Sequence, residues 1–466
     1  MTQASQWLEE EQFETPASHD SKRLSFLKFL VRYPIFLLAF GPPIFRSFET
    51  NAGMDTSQAH FDLWNVIQVV LLFAVALRAI LRLGFEESIR IPKQIRSILR
   101  LSLYLGLLFL ISVVYSPGRA VSAEFSVLNF LTLICVVEFV VDCYRSSPDW
   151  LQCLYHLRLI SFLLYLLVVL IVPFRPDLVL AVIPGAGIRL LGNMVAPVTV
   201  ICPVMAIISA YSFLYRLESR VRSVFFFLVG MAGSILTQMR GMEIALMLCL
   251  AILGVAWAKR SRRSAQLFMA GLLGSILLFS GIAGVIGVER IWNTFNRGQN
   301  ASGIASASGR TEMWKFAFRY CLTHPQGMGY IAGFRSLFTD SFNPVLGAGV
   351  KRLGTTHNAF IDILADAGWL ALAIYVIIMF KTFALGWRFA KKRATERLAA
   401  LSESGHAVRC GLLLFLFCML DGMENSAFCV PLQSYYNYQN IIMAILLGAC
   451  GTMIAASRSP QARLVE

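Results

Sequence analysis

The chain has 466 residues, of which 57% are hydrophobic and only 15% charged. Soluble domains sit nearer half apolar and a quarter charged, so this length implies many membrane spans rather than several soluble domains. The formal net charge is +14, but Lys and Arg fall in short clusters between apolar runs. That is how topology is set in a bilayer, and no nucleic-acid partner is expected.

Residues 1–24 are polar, with the acidic run EEEQFE at 9–14. This is the reverse of a basic signal-peptide start, and the segment reads as a cytoplasmic tail. Apolar segments of about 20 residues, enough to cross the hydrocarbon core, then follow at 26–45, 61–82, 99–115, 123–143, 157–174, 194–215, 223–239, 242–258, 265–288, 367–387, 408–428 and 440–456. They predict an all-α integral membrane protein with about 12 transmembrane helices. Helices 1–9 occupy 25–288 and helices 10–12 occupy 367–456, with a second cytoplasmic tail at 457–466. The first span carries Arg32, Pro34, Pro42 and Pro43, and the break between the seventh and eighth is very short. Segment 178–188 is apolar but too short to cross, which suggests an interfacial or re-entrant piece.

Basic clusters at Lys22/Arg23, Arg82–Arg100, Arg216/Arg220/Arg222, 259–263 and Arg388–Arg397 fall in alternate gaps of this scheme. The positive-inside rule makes those gaps and both termini cytoplasmic, and puts the far gaps outside. Of the 10 cysteines, most lie inside apolar runs as small hydrophobes. Cys321 and Cys429 lie outside the runs, so that a disulfide between them is open but not implied.

Between the ninth and tenth spans the apolar pattern stops. Residues 289–366 are far longer than a connecting loop and hold SGRTEMW (308–314), THPQGMGY (323–330) and TTHNAFIDILADAGW (355–369). A long loop bearing Arg, His and Gly in an otherwise apolar chain is where chemistry is expected. Three arginines stand alone on the same side: Arg189 in GIRLLGN, Arg240 in LTQMRGMEI and Arg310 in ASGRTEMW. Pairing of Arg240 with Glu243 and of Arg310 with Glu312 is one explanation. An anion site shared by all three is the other. Pyrophosphate fits it best, because guanidinium forks match phosphate oxygens.

These segments resemble the O-antigen ligase / O-antigen polymerase family of bacterial membrane glycosyltransferases, most clearly from about 185 to 375. RLLGNMVAPV (189–198) resembles the family's Arg-x-x-Gly lead into a mid-chain helix, and TQMRG (237–241) its short outer-face Arg-Gly turn. SGRTEMW followed by HPQGMGY resembles the core of its large periplasmic loop, and THNAFIDILADAG the His-Asn/Ser motif that closes it. The chain departs from the pattern at Asp366, where the family usually has Glu, and at Ala371, where Gly is frequent. The resemblance implies glycan transfer without metal or other cofactor, at the outer face of the bacterial inner membrane, in lipopolysaccharide or other surface-polysaccharide synthesis. The donor would be an undecaprenyl-pyrophosphate-linked glycan and the acceptor a sugar hydroxyl, on lipid A–core or on another glycan. Arg240, Arg310 and Arg189 would bind the donor pyrophosphate and His357 would be catalytic, with Asn358, Trp314 and Asp366 in support.

The residues point the same way by chemistry. Attack at an anomeric carbon needs the leaving pyrophosphate neutralised and the acceptor proton removed. The sequence has no DxD or HExxH, and its 6 histidines are scattered, so arginines take the place a metal would have. His moves protons near neutral pH. His357 stands at the start of an expected helix over 358–369, whose N-terminus disfavours the imidazolium and keeps a base available. His324 before Pro325 reads as a turn residue. Gly327 and Gly329 are explained by turn geometry as well as by a phosphate cradle. Asp362 and Asp366, one turn apart, are metal ligands on one reading and partners of Arg335 or Arg352 on the other. Trp150, Trp292, Trp314 and Trp369 read as an interfacial belt. A polymerase of repeat units shares all these motifs with a ligase. A transporter of lipid-linked glycans would show internal repeats and mid-membrane charges, which the sequence does not.

Overall fold

The computed structural model describes residues 25–40, 63–85, 91–146, 148–183, 187–190, 198–237, 239–286, 310–331, 358–391, 399–423 and 437–456. They form helices α1 (Phe26–Arg32), α2 (Leu63–Phe85), α3 (Lys93–Ser112), α4 (Arg119–Ser146), α5 (Trp150–Ile171) and α6 (Pro176–Val179). A hairpin of β1 (Leu180–Ile183) and β2 (Gly187–Leu190) comes next. Then follow α7 (Val198–Tyr215), α8 (Arg220–Thr237), α9 (Arg240–Ala258), α10 (Arg262–Ile286), α11 (Arg310–Thr323), α12 (Ala359–Lys391), α13 (Ala399–Gly422) and α14 (Asn437–Ala456).

Among the described residues, 8 helices are long and apolar enough to cross a membrane: 93–115, 119–144, 150–171, 220–237, 240–258, 359–391, 403–422 and 438–455. Each overlaps an expected span. The expected spans at 61–82, 194–215 and 265–288 are helical as α2, α7 and α10, and α7 is apolar over Val200–Tyr215 among the described residues. The first expected span is not one continuous helix. Tyr33 leaves the helical region at φ −122°, ψ 73°, and the chain resumes as a 3-10 turn over Pro34–Phe40. Proline disfavours helical geometry in the residue before it and lacks the amide needed to continue the ladder.

The strands correct a purely α-helical expectation. Segment 178–188, read as interfacial or re-entrant, falls largely in this hairpin, in which Leu180 pairs with Leu190 and Ala181 with Arg189. A hairpin lets a short apolar piece pair its own backbone groups where neighbouring lipid offers no partners.

The centre of the bundle is α14. Every residue from Ile441 to Cys450 is buried, packed among α4, α5, α12 and α13. Several hydroxyls inside the apolar helices bond within their own helix, as when Ser161 donates to Leu157 O (2.8 Å) and Ser209 to Met205 O (2.7 Å). The outer helices keep large apolar side chains exposed, including Phe73 and Leu77 on α2 and Phe225 and Leu228 on α8, a surface suited to lipid.

Charges inside the bundle are paired. Arg82 of α2 donates to Glu138 Oε1 and Asp142 Oδ1 of α4, both at 2.6 Å. Arg158 of α5 grips both carboxylate oxygens of Glu218, and its guanidinium lies 4.4 Å from the Phe226 ring centroid. Removing one partner of such a buried pair costs about 3–5 kcal/mol, because the other charge is left without compensation.

Candidate functional site

The long polar segment contains a folded piece. Helix α11 and the turn after it lie against the first part of α12 through a small apolar cluster of Ala317, Cys321, Met328, Leu364 and Ala365. Three backbone bonds clamp the pieces: Met328 N–H to Ala365 O (2.8 Å), Gly329 N–H to Asp366 O (2.8 Å) and Trp369 N–H to Pro325 O (3.1 Å). The Trp369 indole N–H adds a bond to Cys321 O at 3.1 Å.

The glycines of the two motifs make this approach possible. Gly368 interrupts α12 with φ 81° and ψ −175°, and a Cβ there would lie 2.1 Å from Pro325 O. Gly329 has φ 110°, and its Cβ would meet the Ser116 side chain at 2.3 Å. Both positions are closed to other residues by backbone conformation and by space. Gly327, at φ 78°, shares this left-handed geometry with Gly329, as a turn requires.

The turn is also tied to the junction of α3 and α4, which the sequence did not single out. Tyr115 Oη donates to Gln326 O (2.7 Å), Ser122 Oγ to Tyr330 O (2.7 Å), and Tyr330 N–H to Ser112 Oγ (2.9 Å). The Tyr330 ring stacks on Phe109 with centroids 4.2 Å apart. The only signal for this in the sequence is Ser-Pro-Gly at 116–118, which marks a turn and says nothing of what docks on it.

Helix α12 begins as its sequence suggests. Asn358 caps it, its Oδ1 accepting from Phe360 N–H (3.0 Å) and Ile361 N–H (3.1 Å). The Asn358 Nδ2 donates to Met423 O just past the end of α13, at 2.9 Å. His357 lies outside the described residues, directly before this cap. Arg240 is the first residue of α9 and is half-buried. Helices α9 and α13 run antiparallel: Cys249 Sγ donates to Leu413 O, while Tyr215 touches both Arg260 past the end of α9 and His406 early in α13. The start of α9 therefore shares one end of the bundle with Met423 and Asn358. Arg189 is in β2 and Arg310 opens α11; the structure describes their backbones and not their side chains.

Trp314 is on α11, part-buried, and Asp366 is buried in α12 with its carbonyl engaged by Gly329. Asp362 is buried as well, while Arg335 and Arg352 lie outside the described residues. His324 behaves as a turn residue: its carbonyl accepts Gly327 N–H (3.0 Å), its ring stacks on Tyr320, and its Nδ1 lies 2.9 Å from Thr323 Oγ1. Cys321 is a free, buried thiol pointing at Leu364 O. Burial and the nearby Asp366 carboxylate push its pKa up to about 11. The possible disulfide partner, Cys429, lies outside the described residues. Burial, with Cys321 beside it, also raises the Tyr320 phenol.

The arrangement can gather anions. Helices α9 and α12 both begin at this end of the bundle and bring two positive dipole ends there; Asn358 already takes two amides of α12, whereas Met239 puts no side-chain cap on α9. A comparison with curated proteins gives no match. Residues 223–376, from the first turn of α8 into α12, match the family model described as O-antigen ligase. That segment, which carries Arg240, Arg310 and His357, is where the chain is similar to the O-antigen ligase family.

Proposed function

We propose that the protein is a metal-independent membrane glycosyltransferase of the ligase type. It moves a glycan from undecaprenyl pyrophosphate to an acceptor sugar hydroxyl at the outer face of the bacterial inner membrane. The acceptor oxygen bonds to the anomeric carbon as the bond from that carbon to the pyrophosphate breaks, and the electron pair leaves on the phosphate. Arg240, Arg310 and Arg189 hold that phosphate charge with forked donors. His357 takes the acceptor proton or orients the leaving group. Its place before the Asn358 cap favours neutral imidazole, since a helix N-terminus repels a cation. Trp314 and Asp366 support the loop from α11 and α12.

The observation that carries this reading is the family match over 223–376, which spans Arg240, Arg310 and His357 together. The alternation of basic clusters along the sequence supports the outward-facing site.

The test is turnover of a synthetic polyprenyl-pyrophosphate glycan by purified protein in excess chelator, with donor binding measured in parallel. Arg240→Lys and Arg310→Lys keep the charge but lose the fork, which should cost roughly 2–4 kcal/mol, or about 30- to 1000-fold in rate. His357→Ala should abolish transfer with less effect on donor binding. Normal turnover by His357→Ala ends the role assigned to it. Activity that returns only on adding magnesium or manganese transfers the phosphate role to a metal. Chain extension in place of a single transfer identifies a polymerase, which uses the same residues.

A further inference from the structure

Helix α11 has two different faces. Ala317 and Cys321 are buried against α12, while Lys315, Phe318, Arg319 and Leu322 are exposed. The spacing of these four puts them on one side of the helix, away from the buried pair. Phe318 is 49% exposed and Leu322 62%. Large apolar side chains set among cations are the pattern of a helix lying in a membrane interface. The apolar groups enter the acyl boundary, and Lys and Arg reach up to the phosphates.

Two spans fix the level of this stripe. Helix α12 has 33 residues, which as one straight helix would measure about 50 Å against about 30 Å of hydrocarbon. Gly368 divides it, and the part from Trp369 to Lys391 is about 35 Å long, enough to cross. Trp369 therefore stands where α12 enters the bilayer. The Phe318 ring packs edge-on against the Trp369 indole, with centroids 5.4 Å apart. The span that begins with α3 ends at Tyr115, whose hydroxyl holds Gln326 O just past α11. Exposed Leu370 and Val114 carry the apolar surface from α11 onto these two spans.

We propose that this face of α11 rests on the bilayer surface and binds anionic phospholipid headgroups through Lys315 and Arg319. Its apolar part is continuous with span surface that lipid covers, which selects a bilayer over a protein partner. Charge selects the headgroup: between Glu312 and Asp340 the sequence has Lys315, Arg319 and Arg335 and no acidic residue. The helix that opens at Arg310 is then held at headgroup level by its own side chains. This contact depends on where the spans end and not on the transfer chemistry.

The test places the full chain in nanodiscs of phosphatidylcholine and phosphatidylglycerol in equal parts. One preparation carries a trace of phosphatidylglycerol with a diazirine near the glycerol backbone, the other the same trace of phosphatidylcholine so modified, and labelled peptides are mapped after photolysis. Both probes should label the lipid-facing side of α12 around Leu370 and Phe380, which reports an inserted and folded bundle. Residues 315–323 should be labelled too, and more by the phosphatidylglycerol probe. Lys315→Gln and Arg319→Gln should each lower that labelling roughly fivefold, with α12 labelled as before. Leu322→Gln should lower labelling of 315–323 by both probes. No label on 315–323 in the wild type, with α12 labelled, means that water or protein covers this face and overturns the proposal. Equal labelling of 315–323 by the two probes, unchanged when both cations are replaced, overturns headgroup recognition.

Discussion

Gly368→Ala should detach the α11 unit from α12 and take activity with it, while leaving the membrane bundle folded. At φ 81° and ψ −175° the position is open only to glycine, and holding another residue there costs about 1–3 kcal/mol. The new Cβ would also sit 2.1 Å from Pro325 O. Relief requires Pro325 to withdraw, which breaks its bond from Trp369 N–H. The clamp consists of that bond and those from Met328 and Gly329, together worth about 3 kcal/mol at roughly 1 kcal/mol each. Strain and lost bonding are therefore as large as the docking itself. A net shift of about 2–4 kcal/mol corresponds to roughly 30- to 1000-fold in the docked population. Hydrogen exchange at the amides of Met328, Gly329 and Trp369 reads the clamp directly, and glycan transfer at matched membrane level reads its consequence. Gly84→Ala is the control, because a Cβ there meets nothing within 4 Å. Wild-type protection and wild-type turnover in Gly368→Ala would refute the claim that this contact organises the site.

Asn358→Ala should cost about 1 kcal/mol of cap stability at the start of α12. Asn358→Asp keeps the capping oxygen but loses the bond to Met423 O, so activity lost in the Ala variant and kept in the Asp variant assigns the effect to the cap. Cys321 should resist maleimide at pH 7–9 and react only as pH approaches its raised value of about 11. The thiolate is the reactive form, so fast alkylation at pH 8 would contradict its burial beside Asp366. A single accessible cysteine placed at Ser306 should react with an impermeant label from outside intact cells; reaction only after the cytoplasmic face is opened would put loop and lipid-linked donor on opposite sides.

The candidate site was partly legible because its residues break the rules around them. Arg240 has no basic neighbour in sequence, unlike the clustered Lys and Arg elsewhere, and Gly368 and Gly329 sit in motifs whose backbone needs only glycine meets. The start of α12 was legible from Asn358, since capping is a local matter of one side chain and two amides. Tyr115, Ser112 and Ser122 gave no such sign. Their partners are Gln326 and Tyr330, more than 200 residues away in sequence, and an ordinary Ser or Tyr at a helix end carries no record of a distant carbonyl.

The same distinction holds for the fold. Composition and run length alone determined a helical membrane protein, because a bilayer demands about 20 apolar residues with every backbone group satisfied internally. They could not tell α14, buried along Ile441–Cys450, from α8, whose Phe225 and Leu228 are exposed. Both are apolar, and lipid tails and protein interior are equally apolar surroundings, so hydrophobicity does not rank them. Tertiary packing decided which helix became the centre, which glycines allowed a close approach, and that Arg82 would find Glu138 and Asp142. It also paired 180–183 with 187–190, since a segment too short to span can pair its backbone with itself when neighbouring helices give it a surface to rest on.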